Sequence, residues 1–342
     1  MKITFLCPTI RISGGVRAIL SYADRLAGRG HAVEVVVIGR RRLTAFWRDQ
    51  HPQVPEWMPD IRAHLRWVAR WVPEKFPDAD ILVATAWQAA CPVASAPARC
   101  GKKFYLIQHY ESLYHGPPDT VDETYRLPLR KIVISTWLRD IMREKFGGEA
   151  ELLVTPVDPK LFHPVEVSVE SPRPRVLMMY HWYPWKGVAD GIEAVRRVKQ
   201  RIPTLHLVGF GVNEPRERLP FDEFHFNPPQ ESLAALYSGC EIYLCPSWDE
   251  GLGMPSIEAM ACGAALVTYD NGGCRDYAWD GRTALVARRR DVAHLAEKLE
   301  SAVSDHALRS KIAREGMTYV QREFNWERAV DAMEMLFKAR EA

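Results

Sequence analysis

Short, largely apolar runs recur along this chain. In the first half they fall at 2–7, 33–38, 81–84, 104–107, 131–135 and 152–154; in the second at 175–180, 205–208, 224–226, 242–245 and 265–269. Unbroken rather than alternating hydrophobicity marks strands covered on both faces, the habit of parallel sheets. Between the runs lie helical periods. Val16, Ile19, Leu20, Ala23, Leu26 and Ala27 share one face and Gly30 ends the element. Near the end, Asn325 suits a helix cap, and Trp326, Val330, Met333 and Phe337 fall on one face. This alternation predicts an α/β protein with two doubly wound parallel sheets. Three prolines and several charges within 164–174 place a linker there. The expected domains are therefore 1–163 and 164–324, followed by a terminal helix at 325–342.

Composition narrows the class. A chain of 342 residues suits two domains. Its 45 basic and 43 acidic residues leave no bulk charge to attract nucleic acid. Seven cysteines, odd in number and scattered, form neither a disulfide framework nor a zinc spacing, which predicts a reducing compartment. Met1-Lys2 leads straight into the first apolar run, too short for a secretion signal, and no stretch has the length of a membrane span. A cytoplasmic protein is expected, resting at most on the inner face of a membrane. Asp78-Ala79-Asp80 has a metal-binding form but precedes a strand, so it reads as a turn, and no dedicated metal site is expected.

The richest stretch is 245–263. A buried strand runs into a loop with paired glycines, then a short helix with Pro255 near its start and Gly263 at its end. Such a loop brings backbone N–H groups and a helix N-terminus to the carboxyl end of a strand, a place to hold a phosphate. Glu250 and Glu258 bracket it; carboxylates repel phosphate, so ribose and sugar hydroxyls are their natural partners. Helical side chains lean toward the N-terminus, which lets Glu258 reach back to the loop.

Other stretches add candidates. Gly14-Gly15 forms a glycine turn after the first strand, without the full Gly-x-Gly-x-x-Gly fingerprint. Arg40, Arg41 and Arg42 follow the second strand, where an NADP site could use them, so an NADP-dependent oxidoreductase is an alternative. Segment 43–77 interleaves Trp47, Trp57, Trp67 and Trp71 with arginines. Drawn as a helix, 61–72 puts Arg62, Arg66 and Arg70 in one row, a face for an anionic membrane or a glycan, or simply a solvated helix. His109 stands at the carboxyl end of a strand, where open parallel sheets bind ligands. Residues 112–128 read as a loop. Gly209-Phe210-Gly211 reads as a glycine turn suited to close approach of a nucleotide base.

Residues 246–263 read Pro-Ser-x-x-Glu-Gly-x-Gly-x-Pro-x-x-Glu-Ala-Met-Ala-x-Gly. This resembles the donor-site signature of family 4 retaining glycosyltransferases, and Lys186-Gly187 matches a second motif of that family. The resemblance implies the GT-B fold, in which two Rossmann-like domains face each other across a cleft and a last helix returns to the first. It implies transfer from a nucleotide-diphosphate sugar to a glycan or lipid-linked acceptor. No cofactor is needed beyond that co-substrate. Under it, His109 and Glu250 are the catalytic candidates. Gly14, Gly15, His181, Lys186, Gly209, Gly251, Leu252, Gly253, Met254 and Glu258 are the donor-binding ones. One position departs from the pattern: the family usually carries an arginine where this chain has His181, which leaves a non-catalytic nucleotide-sugar subunit as a further alternative. A diphosphate beside His181 would raise its pKa.

Overall fold

The computed structural model describes residues 1–39, 54–168 and 174–339. Arg40, Arg41, Arg42 and Trp47 lie outside the described residues, as does part of the expected linker. The chain divides into two compact units, Met1–Thr155 together with Glu327–Ala342, and Pro156–Trp326.

The first unit holds a parallel sheet built from β1 (Lys2–Cys7), β2 (Ala32–Ile38), β3 (His64–Val68), β4 (Ile81–Ala84), β5 (Lys102–Ile107), β6 (Arg130–Val133) and β7 (Ala150–Leu152), in the spatial order β3-β2-β1-β4-β5-β6-β7. Its chain runs outward from β1 in both directions, the doubly wound plan. β4 is buried along its whole length, as its unbroken hydrophobicity requires. Among the described residues, four helices connect these strands: α1 (Gly14–Gly28), α2 (Trp87–Ala94), α3 (Pro118–Tyr125) and α4 (Thr136–Phe146). Ser13 starts α1 by accepting a hydrogen bond from the Val16 N–H at 3.2 Å, and Ser135 does the same for α4 with Leu138. Gly147, at φ +63°, ends α4.

The second unit contains β8 (Arg175–Met179), β9 (His206–Gly211), β10 (Glu223–Phe226), β11 (Ile242–Cys245), β12 (Ala265–Tyr269) and β13 (Ala284–Ala287). They form a second parallel sheet in the order β10-β9-β8-β11-β12-β13. Around it lie α5 (Val188–Lys199), α6 (Leu233–Ser238), α7 (Met254–Ala261), α8 (Val292–Ser304) and α9 (His306–Glu323). Val195, Leu207, Ile242, Leu244, Val267 and Leu299 belong to its core.

The last helix, α10 (Trp326–Lys338), packs on the first sheet. Its face of Trp326, Val330, Met333 and Phe337 is buried, and Phe337 sits edge-on to Phe104 of β5, centroids 5.0 Å apart. Arg29 at the end of α1 binds Glu327 and Asp331 at 2.7 and 2.5 Å, and the Lys102 ammonium donates to the Phe337 carbonyl.

Three expectations fail, and the division falls at 155/156 rather than 163/164. Residues 156–165 are tied to the second unit: Val157 N–H donates to the Phe324 carbonyl, Phe162 packs on Tyr237, and Val165 N–H donates to Ser238. Segment 61–72 is no helix. Residues 64–68 are the strand β3, paired in parallel with β2, with Arg62 on Asp24 and Arg66 on Glu34. Trp71 is buried and its indole donates to the Val36 carbonyl, so the proposed membrane face does not exist. Within 112–128, α3 forms, with Pro118 in its first turn. Gly209 and Gly211 lie inside β9, not in a turn. A Cβ on Gly209 would stand 2.6 Å from Phe221 and 2.7 Å from Phe224, so this glycine makes room for two partly buried rings. Asp78-Ala79-Asp80 is irregular backbone leading into β4: Asp80 accepts from the Lys2 N–H, and Asp78 pairs with Arg99.

Candidate functional site

The second unit gathers its candidates at the carboxyl edge of its sheet, where β8 and β11 end side by side. The loop after β8 carries His181, Lys186 and Gly187; the loop after β11 runs from Pro246 to Gly253. They are locked together. Gly187 is left-handed at φ +64°, and a Cβ there would lie 1.9 Å from the Pro246 carbonyl oxygen. The Trp248 N–H donates to the Trp185 carbonyl at 2.7 Å. Trp248 in turn donates through its indole to Asp190 of α5, at 2.9 Å.

Glu250 is held by backbone on both sides. Its N–H donates to the Asn271 carbonyl and its own carbonyl accepts from Gly273, a short parallel bridge to the loop after β12. Its carboxylate meets the Lys186 ammonium at 2.7 Å, both side chains mostly buried. Beside it, the buried Asp249 is gripped by Arg289 through both carboxylate oxygens. Gly253 is left-handed at φ +90° and turns the chain into α7, while the Tyr277 hydroxyl donates to the Leu252 carbonyl at 2.9 Å. Gly263, at φ +88°, follows the other end of α7. The turn consumes the N–H groups of Ser256 and Ile257, both on the Gly253 carbonyl. Among the described residues no protein acceptor takes the N–H groups of Gly251, Leu252, Gly253 or Met254. Leu252 is buried, so its N–H calls for a ligand or water. A small cleft opens here, lined by Lys186, Cys245, Ser247, Glu250, Gly253 and Ser256 among others.

Glu258 is placed differently from the expectation. It lies in the second turn of α7, is 2% exposed, and accepts from the Tyr237 hydroxyl at 3.2 Å. His181 accepts the Tyr183 N–H at Nδ1 and stacks on the Tyr183 ring, which stacks on Trp185. Burial, then the nearby Lys186 charge, lowers its pKa, with Glu250 opposing. In the free protein His181 is therefore not the cation that an arginine would be.

The first unit holds Gly14, Gly15 and His109 on its own carboxyl edge. Gly14 and Gly15 open α1, and a Cβ on Gly15 would lie 3.3 Å from the Gln108 amide. The His109 ring sits against His115 and Tyr114. Sequence reasoning passed over Glu111, two residues on. This carboxyl accepts from the Trp87 N–H at the start of α2 and from the Tyr105 hydroxyl, and burial pushes its pKa up to about 7. Its signal was its place just past a strand's carboxyl end. Among the described residues no group of His, Cys, Asp or Glu is arranged to hold a metal, and no helix is long and apolar enough to cross a membrane.

Comparison with known proteins agrees with this geometry. Residues 162–318 match the family described as glycosyl transferases group 1. The O-antigen biosynthesis protein RfbC of Myxococcus xanthus is 28% identical over 333 residues, covering 94% of this chain and 25% of that protein. The chain thus spans about a quarter of that relative's length. Among solved structures, sucrose-phosphate synthase from Thermosynechococcus elongatus superposes with a TM-score of 0.80 at 18% identity, over 98% of both chains. Anabaena HepE in complex with UDP-glucose gives 0.78 at 15% identity, covering 99% of this chain and 100% of that one. Two parallel-sheet units with the fold of these structures are thereby joined to a sequence match to glycosyl transferases group 1 at 162–318, within the second of them.

Proposed function

We propose that this chain is a retaining glycosyltransferase of family 4 type that moves a hexosyl group from a nucleotide-diphosphate sugar to a glycan or lipid-linked acceptor. The observation that carries the reading is the run of unspent N–H groups at 251–254 beside the Lys186–Glu250 pair. Four N–H groups converging at a helix start suit phosphate oxygens. Lys186 is neutralised by Glu250 at 2.7 Å. A diphosphate arriving there takes Lys186 for itself and releases Glu250 to accept from sugar hydroxyls. The same contact that binds the donor thus frees the carboxylate that orients the sugar.

Charge develops on the diphosphate as its bond to the sugar breaks. Lys186 and the preset N–H groups stabilise that charge without reorganising, the electrostatic form of catalysis. With retention, the acceptor enters on the face the diphosphate leaves, and the diphosphate oxygen takes the acceptor proton. Glu258, which accepts from the Tyr237 hydroxyl, faces the nucleotide ribose in this reading. Gly14, Gly15 and His109 serve the acceptor side in this reading. The reaction calls for no resident cofactor and fits a cytoplasmic enzyme. The Myxococcus relative's role in O-antigen biosynthesis supports a surface-glycan acceptor.

The test is a thermal-shift screen of nucleotide sugars, followed by NMR of the product formed on lipid-linked or oligosaccharide acceptors. Stabilisation by one nucleotide series, lost in Lys186→Ala, together with an α-linked product from an α-linked donor, is the expected result. No stabilisation by any nucleotide sugar would sink the reading. Binding without transfer or donor hydrolysis would leave a nucleotide-sugar-binding subunit in its place.

A further inference from the structure

We propose that His181 meets the donor diphosphate as an uncharged hydrogen-bond donor through Nε2–H, its tautomer set in advance by the backbone of its own loop; this rests on the nucleotide-sugar reading above. The Tyr183 N–H donates to His181 Nδ1 at 3.1 Å, which requires a lone pair on that nitrogen. A neutral imidazole with Nδ1 as acceptor carries its hydrogen on Nε2. No protein group among the described residues takes Nε2.

The ring is also held in place. His181 stacks on Tyr183 with centroids 4.2 Å apart, and Tyr183 stacks on Trp185 at 4.3 Å, nearly parallel. The three rings lead directly into Lys186, so the stack fixes both polar groups of the loop. The charged groups near the ring are Lys186, from the same loop, and Glu250, from the loop after β11. Adding a proton would place an Nδ1–H against the Tyr183 N–H and a second cation beside Lys186. Both costs, with burial, favour the neutral ring and oppose the upward pull of the diphosphate charge on its pKa. In the proposed complex they prevail.

The site then offers a diphosphate one cation, neutral donors and a helix start. An arginine at 181 would make a different site: stronger in charge, more sensitive to salt, and more retentive of the diphosphate product. Here the hydrogen-bond direction is kept and the charge is omitted.

The experiment uses the full chain with ¹⁵N-labelled histidine, the His181 signals assigned by their absence from His181→Gln. Two-bond ¹H–¹⁵N correlation spectra at pH 7.5 should show the Nε2–H neutral tautomer, both free and saturated with whichever of UDP-glucose or GDP-mannose binds. These sugars are chosen because their phosphates do not titrate near neutrality. Calorimetry should give the same affinity within about twofold between pH 6.5 and 8.5, with no proton uptake. His181→Gln, which keeps a neutral N–H donor, should bind within about threefold of the native chain, while His181→Ala should lose about tenfold or more. An imidazolium in the complex, an Nδ1–H tautomer, or His181→Gln binding as weakly as His181→Ala would overturn the proposal while leaving the donor site standing. Failure of both nucleotide sugars to bind the native chain, with no other nucleotide stabilising it, would overturn the donor site and the ligand of His181 with it.

Discussion

The two units share one plan and furnish its carboxyl edge in opposite ways. Each is a doubly wound parallel sheet with its ligand edge at the ends of central strands. In the second unit that edge is charged and paired: Lys186 on Glu250, Arg289 on Asp249, with left-handed glycines letting backbones touch. In the first unit the edge is aromatic: His109, Tyr114 and His115 lie against one another, the adjoining Tyr110 is bonded to Asp122 and Lys145, and burial pushes the Glu111 carboxyl up to about 7. A preset charged pair suits an anionic diphosphate. A ring-rich edge suits sugar hydroxyls and the apolar faces of pyranoses, so the proposed function assigns the donor to the second unit and the acceptor to the first.

The sharpest way to break that comparison is at the contact between loops. Gly187→Ala puts a Cβ inside the Pro246 carbonyl at a left-handed φ, where neither backbone can yield. Loss of about 5 kcal/mol is expected, with Lys186 displaced and nucleotide binding abolished. Denaturant unfolding and a nucleotide titration check it; near-native stability would mean the two loops are not locked.

A second test asks whether the first unit depends on residues that follow the second. Phe337 is 1% exposed and edge-on to Phe104. Phe337→Ala should cost about 3 to 4 kcal/mol. Hydrogen exchange should rise across β4, β5 and β6 and stay unchanged in β8 and β11. Uniform acceleration in both sheets would contradict the assignment of α10 to the first unit.

How much of this was legible beforehand follows the same line. The backbone of stretch 245–263, though not the place of Glu258, was legible because glycine, proline and a buried strand fix geometry locally: Gly253 and Gly263 are both left-handed, and α7 begins where Pro255 permits. The face of α10 was legible from its period. Segment 61–72 was misread because the four-residue spacing of its arginines imitates a helix. Pairing with the edge of β2 and the Asp24 and Glu34 carboxylates decided the matter, and none of those is local. Gly209 was misread for the same reason, since the rings that need its missing Cβ come from Phe221 and Phe224. The burial of Glu111 was not legible because it is set by Trp87, Tyr105 and Tyr125, from three other elements.

Glu111 gives a test specific to the first unit. Its carboxyl pKa is raised in the fold, so it binds a proton more tightly folded than unfolded. That contribution is complete below its ordinary pKa of 4.5 and is lost as pH rises through about 7. By pH 8 the loss amounts to about 3 kcal/mol. Glu111→Gln cannot ionise, keeps the carbonyl acceptor for Trp87, and should match the native stability at pH 5 while exceeding it at pH 8. Parallel stability curves for the two chains across that range would show the carboxyl to be charged, and the first unit's edge to be as ionic as the second's.

The smallest expected effect separates structure from function at the first unit's glycine turn. Unlike Gly187, Gly15 has no left-handed backbone, and its added Cβ would meet only the end of the Gln108 side chain, which can swing aside. Gly15→Ala should therefore change stability by no more than about 0.5 kcal/mol, the range of substitutions that create neither strain nor a cavity. If a ligand approaches this backbone, transfer should fall far more than stability does, with nucleotide-sugar binding to the second unit unchanged. If instead transfer follows stability, the turn serves only to start α1, and the first unit's contribution to the reaction rests on His109 and its neighbouring rings.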